Sequence, residues 1–177
     1  GGTPKVAHTF EVEYTAAETP VTEAFGKACP TLVFPNHEDY DYVKVVLDAQ
    51  TLAAVKKHLS KIDSQLARQM LWHTLWEMVI DARLSASEFA DIALAHVGGE
   101  KDLMVLEKVT ESLVSSRSAN NSTLRIMSGD LRWKYGEKFE RYFENKAMAA
   151  APGSDQQLLW FQAFLESVST PKAVAFT

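Results

Sequence analysis

Thr31-Leu32-Val33-Phe34-Pro35-Asn36-His37-Glu38-Asp39-Tyr40-Asp41-Tyr42-Val43-Lys44-Val45-Val46-Leu47-Asp48 is where the chain changes its period. On its N-terminal side the pattern is that of strands. Thr9 to Tyr14 alternates, placing Phe10, Val12 and Tyr14 on one face. Pro20 to Phe25 reads as a second strand with Gly26-Lys27 as its turn. Thr31 to Phe34 is an apolar run stopped by Pro35-Asn36, and Tyr42 to Leu47 is a strong β segment. So few short strands cover their apolar face poorly by themselves. The expectation is a short antiparallel β segment over residues 1–47, either the remnant of a larger sheet or packed on helices.

From Asp48 onward the apolar spacing is helical and does not change back. Asp48 is placed to cap a helix whose apolar positions are Leu52, Val55 and Leu59. Asp63 is expected to cap the next, running to about Arg83. Ser85-Ala86-Ser87-Glu88 is a capping box, and Gly98-Gly99 closes the helix that it opens. Asp102 starts a helix carrying Leu103, Leu106, Val109 and Leu113, broken at Asn120-Asn121-Ser122. Thr123 to about Ala150 is helical, interrupted by Gly129 and Gly136, as two helices or one with a kink. After the turn at Pro152-Gly153, Ser154-Asp155-Gln156-Gln157 is a second capping box, leading to Leu158, Phe161, Leu165 and Val168. Thr170-Pro171 is a further helix start with six residues after it, which suggests a chain cut at that end. The fold class expected is mainly α: the β segment, then over 48–177 an irregular, superhelix-like array of paired antiparallel helices with no fixed repeat.

The composition is that of an ordinary globular protein. Of 177 residues 46% are hydrophobic and 23% charged, with a formal net charge of -5. That balance offers no basic field for nucleic acid. Cys29 is the single cysteine, which excludes an intrachain disulfide and any multi-cysteine zinc site. No uncharged apolar run approaches the roughly 20 residues of a membrane span. Gly1-Gly2 reads as a tag scar or cut point, no signal-peptide core follows it, and a cytoplasmic location is expected.

Three stretches invite a chemical reading. In the Asp63 helix, apolar residues cover well over half the circumference, and the remaining stripe holds His73, Glu77 and Asp81 at four-residue spacing. Such a stripe can chelate zinc only with ligands from a second element, so a polar stripe on a central helix is the better reading. The clustered acids of Pro35 to Tyr42 lack calcium-loop spacing and read as a turn. In Leu131-Arg132-Trp133-Lys134-Tyr135, with Lys138, Arg141 and Tyr142, the basic residues interleave with Glu137, Glu140 and Glu144. A helix with one apolar and one mixed-charge face results. No His-Glu-x-x-His, phosphate loop or nucleophile elbow occurs. The expectation is no catalytic, cofactor-binding or metal-binding residue.

The junction at Pro35, Asn36, Tyr42, Lys44 and Asp48 resembles one in aminopeptidase N-type zinc metallopeptidases, especially bacterial ones. There a strand ending in Pro-Asn or Leu-Asn leads through an acidic turn to a Tyr-x-Lys or Tyr-x-Arg strand and a helix-starting Asp. Ser60 to Val79 is similar to that family's next helix, with Asp63-Ser64-Gln65-Leu66-Ala67-Arg68 and the spacing of Trp72 and Trp76. Ala151 to Leu158 resembles a later helix start. Phe34, His37 and the aromatic-rich 131–143 stretch depart from the family pattern. The resemblance implies that 1–47 ends a β-sandwich domain and that 48–177 belongs to a helical C-terminal domain. It implies a parent that uses zinc to remove N-terminal residues from peptides, with the helical domain shaping an internal cavity and limiting access. The expected partners are then the upstream catalytic domain of the same polypeptide and peptide substrates, with no nucleic acid and no membrane. The zinc ligands, the Glu base and the substrate-amine motif of the family have no counterpart here. Two other readings stand beside this one: a free-standing helical-repeat module that binds proteins, and, more remotely, a metalloenzyme built on His73, Glu77 and Asp81.

Overall fold

Regular structure begins where the period changes. The computed structural model describes residues 4–115 and 122–170. The chain divides into two units, Gly1–Arg68 and Gln69–Thr177. Among the described residues there are seven α-helices and no strand.

The absence of strands corrects the expected β segment. Residues 9–14, 20–25, 31–34 and 42–47 form no ladder, and among the described residues before Asp48 the only helical pieces are short 3-10 turns at Thr22–Ala24 and His37–Asp39. A strand exists through its hydrogen-bonded neighbour, and alternation of side chains supplies the propensity without the partner. Helix side chains satisfy part of the 30–33 backbone instead. Thr51 Oγ1 donates to Val33 O at 3.3 Å and accepts the Val33 N–H at 3.2 Å, while Gln50 Nε2 donates to Pro30 O at 2.7 Å. Apolar side chains that a sheet would cover stay exposed, among them Val12, Tyr14, Phe25 and Val46. The turn expected at Gly26 forms: Lys27 N–H donates to Ala24 O at 3.1 Å, and Gly26 has φ 75°.

In the same unit α1 spans Ala49–His58, and Asp48 Oδ1 accepts the Thr51 N–H at 2.7 Å. Val55 and Leu59 are fully buried, Leu52 half-buried. Lys56, Lys57 and His58 occupy its last turn, where cations complement the helix dipole. Next, α2 spans Gln65–Ile80. Its cap lies one residue later than Asp63: Ser64 Oγ accepts the Ala67 N–H at 3.2 Å. Its end comes sooner than Arg83. Ala82 takes φ 57°, its N–H donates to Val79 O at 3.0 Å, and Arg83 N–H reaches back to Met78 O at 2.8 Å. That bond pair is a Schellman termination with alanine in the place usually held by glycine.

The second unit contains most of α2 with α3 (Ala86–His96), α4 (Leu103–Val114), α5 (Thr123–Ile126), α6 (Gly129–Ala149) and α7 (Asp155–Ser167). The expected caps form: Ser85 for α3, Asp102 for α4 and Ser154 for α7 each accept a backbone N–H three residues on. The glycine-rich turn Val97–Gly99 closes α3. Of the break at Asn120-Asn121-Ser122, only Ser122 lies within the described residues, as does Thr170 of the expected Thr170-Pro171 start. Gly129 is the first residue of α6, and the helix continues unbroken through Gly136. On α2, Leu71, Trp72, Leu75, Met78 and Val79 are buried, and Trp72 and Trp76 meet Phe89 of α3 at ring separations of 6.3 and 5.3 Å.

The tightest pairing is between α6 and α7, which run antiparallel about the Pro152-Gly153 turn. Gln157 Nε2 donates to Ala147 O at 3.1 Å near the turn, and Phe143 stacks on Trp160 at 5.9 Å one step further away. Ser169 N–H meets Glu140 at 2.8 Å at the far end. A run of rings, Tyr135, Phe139, Phe143 and Trp160, is buried along this seam. The face that α7 buries differs from the expected one. Trp160, Ala163, Phe164 and Ser167 point inward, whereas Leu158, Phe161 and Leu165 are exposed. The helix is apolar on both sides, so periodicity alone cannot choose between them.

Candidate functional site

The α2 stripe does not assemble into a metal centre. His73 and Asp81 are exposed and Glu77 half-buried, with Glu77 and Asp81 engaged in interactions of their own. Among the described residues no three His, Cys, Asp or Glu side chains converge as a metal site.

Asn36 accounts for the acidic loop. Its side-chain Nδ2 donates to Asp41 O at 2.8 Å and to Asp39 Oδ1 at 3.2 Å, and its Oδ1 accepts the Asp41 N–H at 2.9 Å. One amide closes the loop from both ends, and Asn36, Glu38 and Asp39 take left-handed backbone to allow it. The acids are held as a turn.

The 131–143 stretch lies on α6 with two faces. Tyr135, Phe139 and Phe143 are buried, while Arg132, Trp133, Lys134, Lys138 and Arg141 face solvent. Glu140 breaks the expected pattern: it is 8% exposed on the apolar face. Its carboxylate accepts from Ser169 N–H (2.8 Å), Ser169 Oγ (3.2 Å), Thr170 N–H (2.9 Å) and Thr170 Oγ1 (2.6 Å). Burial pushes this carboxyl up, but the four hydrogen bonds together outweigh it and hold it below the ordinary glutamate value.

Two further polar joints on α6 were not visible as motifs. Burial, reinforced by a hydrogen bond to Asp91 of α3 and by that carboxylate's charge, pushes the Tyr135 phenol up to about 12. Lys138 Nζ lies 3.4 Å from the same Asp91 and 4.4 Å from the Tyr135 ring centre. Farther along, Lys146 Nζ donates to Gly98 O at 3.3 Å, and a Cβ on Gly98 would collide with Lys146 and Tyr142. Each joint pairs residues more than forty positions apart, a separation no local pattern reveals. A shallow groove between α4 and α7 is lined by Glu107, Thr110, Glu111, Ser115, Gln162 and Glu166.

What these joints have in common is structural: they fix α6 against α3, the turn after α3 and the segment that follows α7. A family model described as the ERAP1-like C-terminal domain matches residues 32–169. The chain belongs to the ERAP1-like C-terminal domain family. It is also 29% identical over 165 residues to the aminopeptidase N of Streptomyces lividans, covering 92% of this chain. The chain spans 18% of that protein's length. These two similarities bear out the resemblance carried by Pro35 to Asp48 and Ser60 to Val79. A helical C-terminal domain of an aminopeptidase N-type enzyme is what that resemblance implied. None of the described helices is long and apolar enough to cross a membrane.

Proposed function

We propose that this chain is a non-catalytic C-terminal portion of a zinc aminopeptidase that removes N-terminal residues from peptides. In this reading residues 1–47 close a β-sandwich domain of the parent and 48–177 form the helical domain. The helical array shapes an internal cavity and limits the peptides that enter. Zinc and the catalytic groups belong to an upstream domain of the same polypeptide, and the enzyme is cytoplasmic. The observation that carries the proposal is the family match over residues 32–169 on an array whose buried polar groups join helices to each other. The start of the first helix at the Asp48 cap, where extended backbone gives way to helix, supports the proposed boundary.

The test is the encoding gene. A reading frame continuous with residue 1 and carrying His-Glu-x-x-His upstream is the expected finding. A start codon at residue 1 would leave a free-standing interaction module instead. That second reading draws on the exposed apolar residues Leu158, Phe161 and Leu165 along one face of α7.

A further inference from the structure

Glu140 is a buried carboxylate on the core face of α6, and its four donors come from two consecutive residues just beyond the end of α7. Two are backbone N–H groups and two are hydroxyls, so both oxygens are satisfied and the negative charge is met by converging dipoles. Gly136, one turn earlier on α6, lies beside Ser169: a Cβ placed there would stand at ordinary contact distance, 3.6 Å, from Ser169 Oγ. We propose that Glu140 is a charge-strengthened latch that fixes the course of the chain leaving α7, tight while the carboxylate is ionised and loosened by its protonation.

The charge is what makes this a latch rather than one more contact. Hydrogen bonds to an ionised acceptor contribute roughly twice as much as neutral ones. Both N–H groups donate to Oε2 and Oε1 meets only the Thr170 hydroxyl, so protonation would turn the charge-assisted bonds into weaker neutral ones. The groups acting on the carboxylate are its burial and the Ser169 and Thr170 donors of the segment after α7. Along α6 its titratable neighbours one turn away are Glu137 and Glu144, and α7 presents the uncharged Ser167 and Val168 just before the donors. The direction follows: the folded carboxyl is held below its ordinary value, so the latch contributes fully at neutral pH. Its contribution is lost only as pH falls through that lowered value.

The experiment is amide hydrogen exchange by NMR on the whole chain and on Glu140→Gln, which keeps the shape and removes the charge. The Ser169 and Thr170 amides should exchange at least about tenfold faster in the variant, corresponding to about 1.4 kcal/mol, with the Phe139 and Phe143 amides unchanged. In the unsubstituted chain both amide resonances should move together on acidification, with one midpoint below the ordinary glutamate pKa. This titration decides the matter even if the variant fails to fold. Unprotected Ser169 and Thr170 amides in the unsubstituted chain would overturn the proposal. So would unchanged exchange in a folded variant, or resonances that do not titrate together.

Discussion

At the scale of single residues, the short-range signals were the readable ones. Asp48, Ser85, Asp102 and Ser154 each cap a helix as the sequence indicates, because a cap needs only a side-chain oxygen and an N–H three residues on. At Asp63-Ser64 two capping residues stand side by side and the second takes the role, a choice the sequence leaves open. Ala82 could not have been anticipated, since nothing about alanine advertises a left-handed backbone. Its conformation makes a prediction: L-residues with a Cβ lose about 1 kcal/mol there relative to glycine. Ala82→Gly, exposed and terminating α2, should raise the unfolding free energy in urea by about 0.5–1 kcal/mol. A loss of stability would mean that the α2 end is built differently. Tyr135 gives a second residue-level outcome. Its phenol is neutral and bonded in the fold up to about 12. Stability from this group is therefore present below the ordinary tyrosine pKa near 10 and is lost as pH rises through the folded value. Ultraviolet titration of the folded chain should show a late-ionising tyrosine that disappears in Tyr135→Phe.

At the scale of elements, the helices of the second unit were legible and their orientation was not. The capping box found α3, and apolar spacing found α4 with Leu106, Val109 and Leu113 buried, although Leu103 is exposed. On α7 it selected Leu158, Phe161 and Leu165, although the core takes Trp160, Ala163 and Phe164. The deciding partners, Phe143 and Tyr142, lie on α6 and enter only through tertiary packing. The same reason explains residues 9–47, where alternation announces strands but the described chain provides no ladder. A pair of substitutions separates the two faces of α7. Trp160→Ala should cost about 3–5 kcal/mol through the cavity it leaves. Leu158→Ala should stay within about 0.5 kcal/mol. Equal costs, measured by chemical denaturation, would contradict this assignment of the buried face.

At the scale of the whole molecule, the fold and the family agree on a helical C-terminal domain whose polar groups hold helices together. The absence of a triad, phosphate loop or His-Glu-x-x-His was readable, whereas the inter-helix joints at Glu140, Asp91 and Gly98 arise only when distant turns are brought side by side. The proposed division of labour places every catalytic group elsewhere in the parent polypeptide. Its most direct test is a turnover assay of the purified 177-residue chain, supplied with zinc, on an aminoacyl chromogenic substrate. No hydrolysis above the buffer blank is the expected result. Hydrolysis that co-elutes with the chain and disappears in His73→Ala would contradict the proposal and return the α2 stripe to the centre of the chemistry.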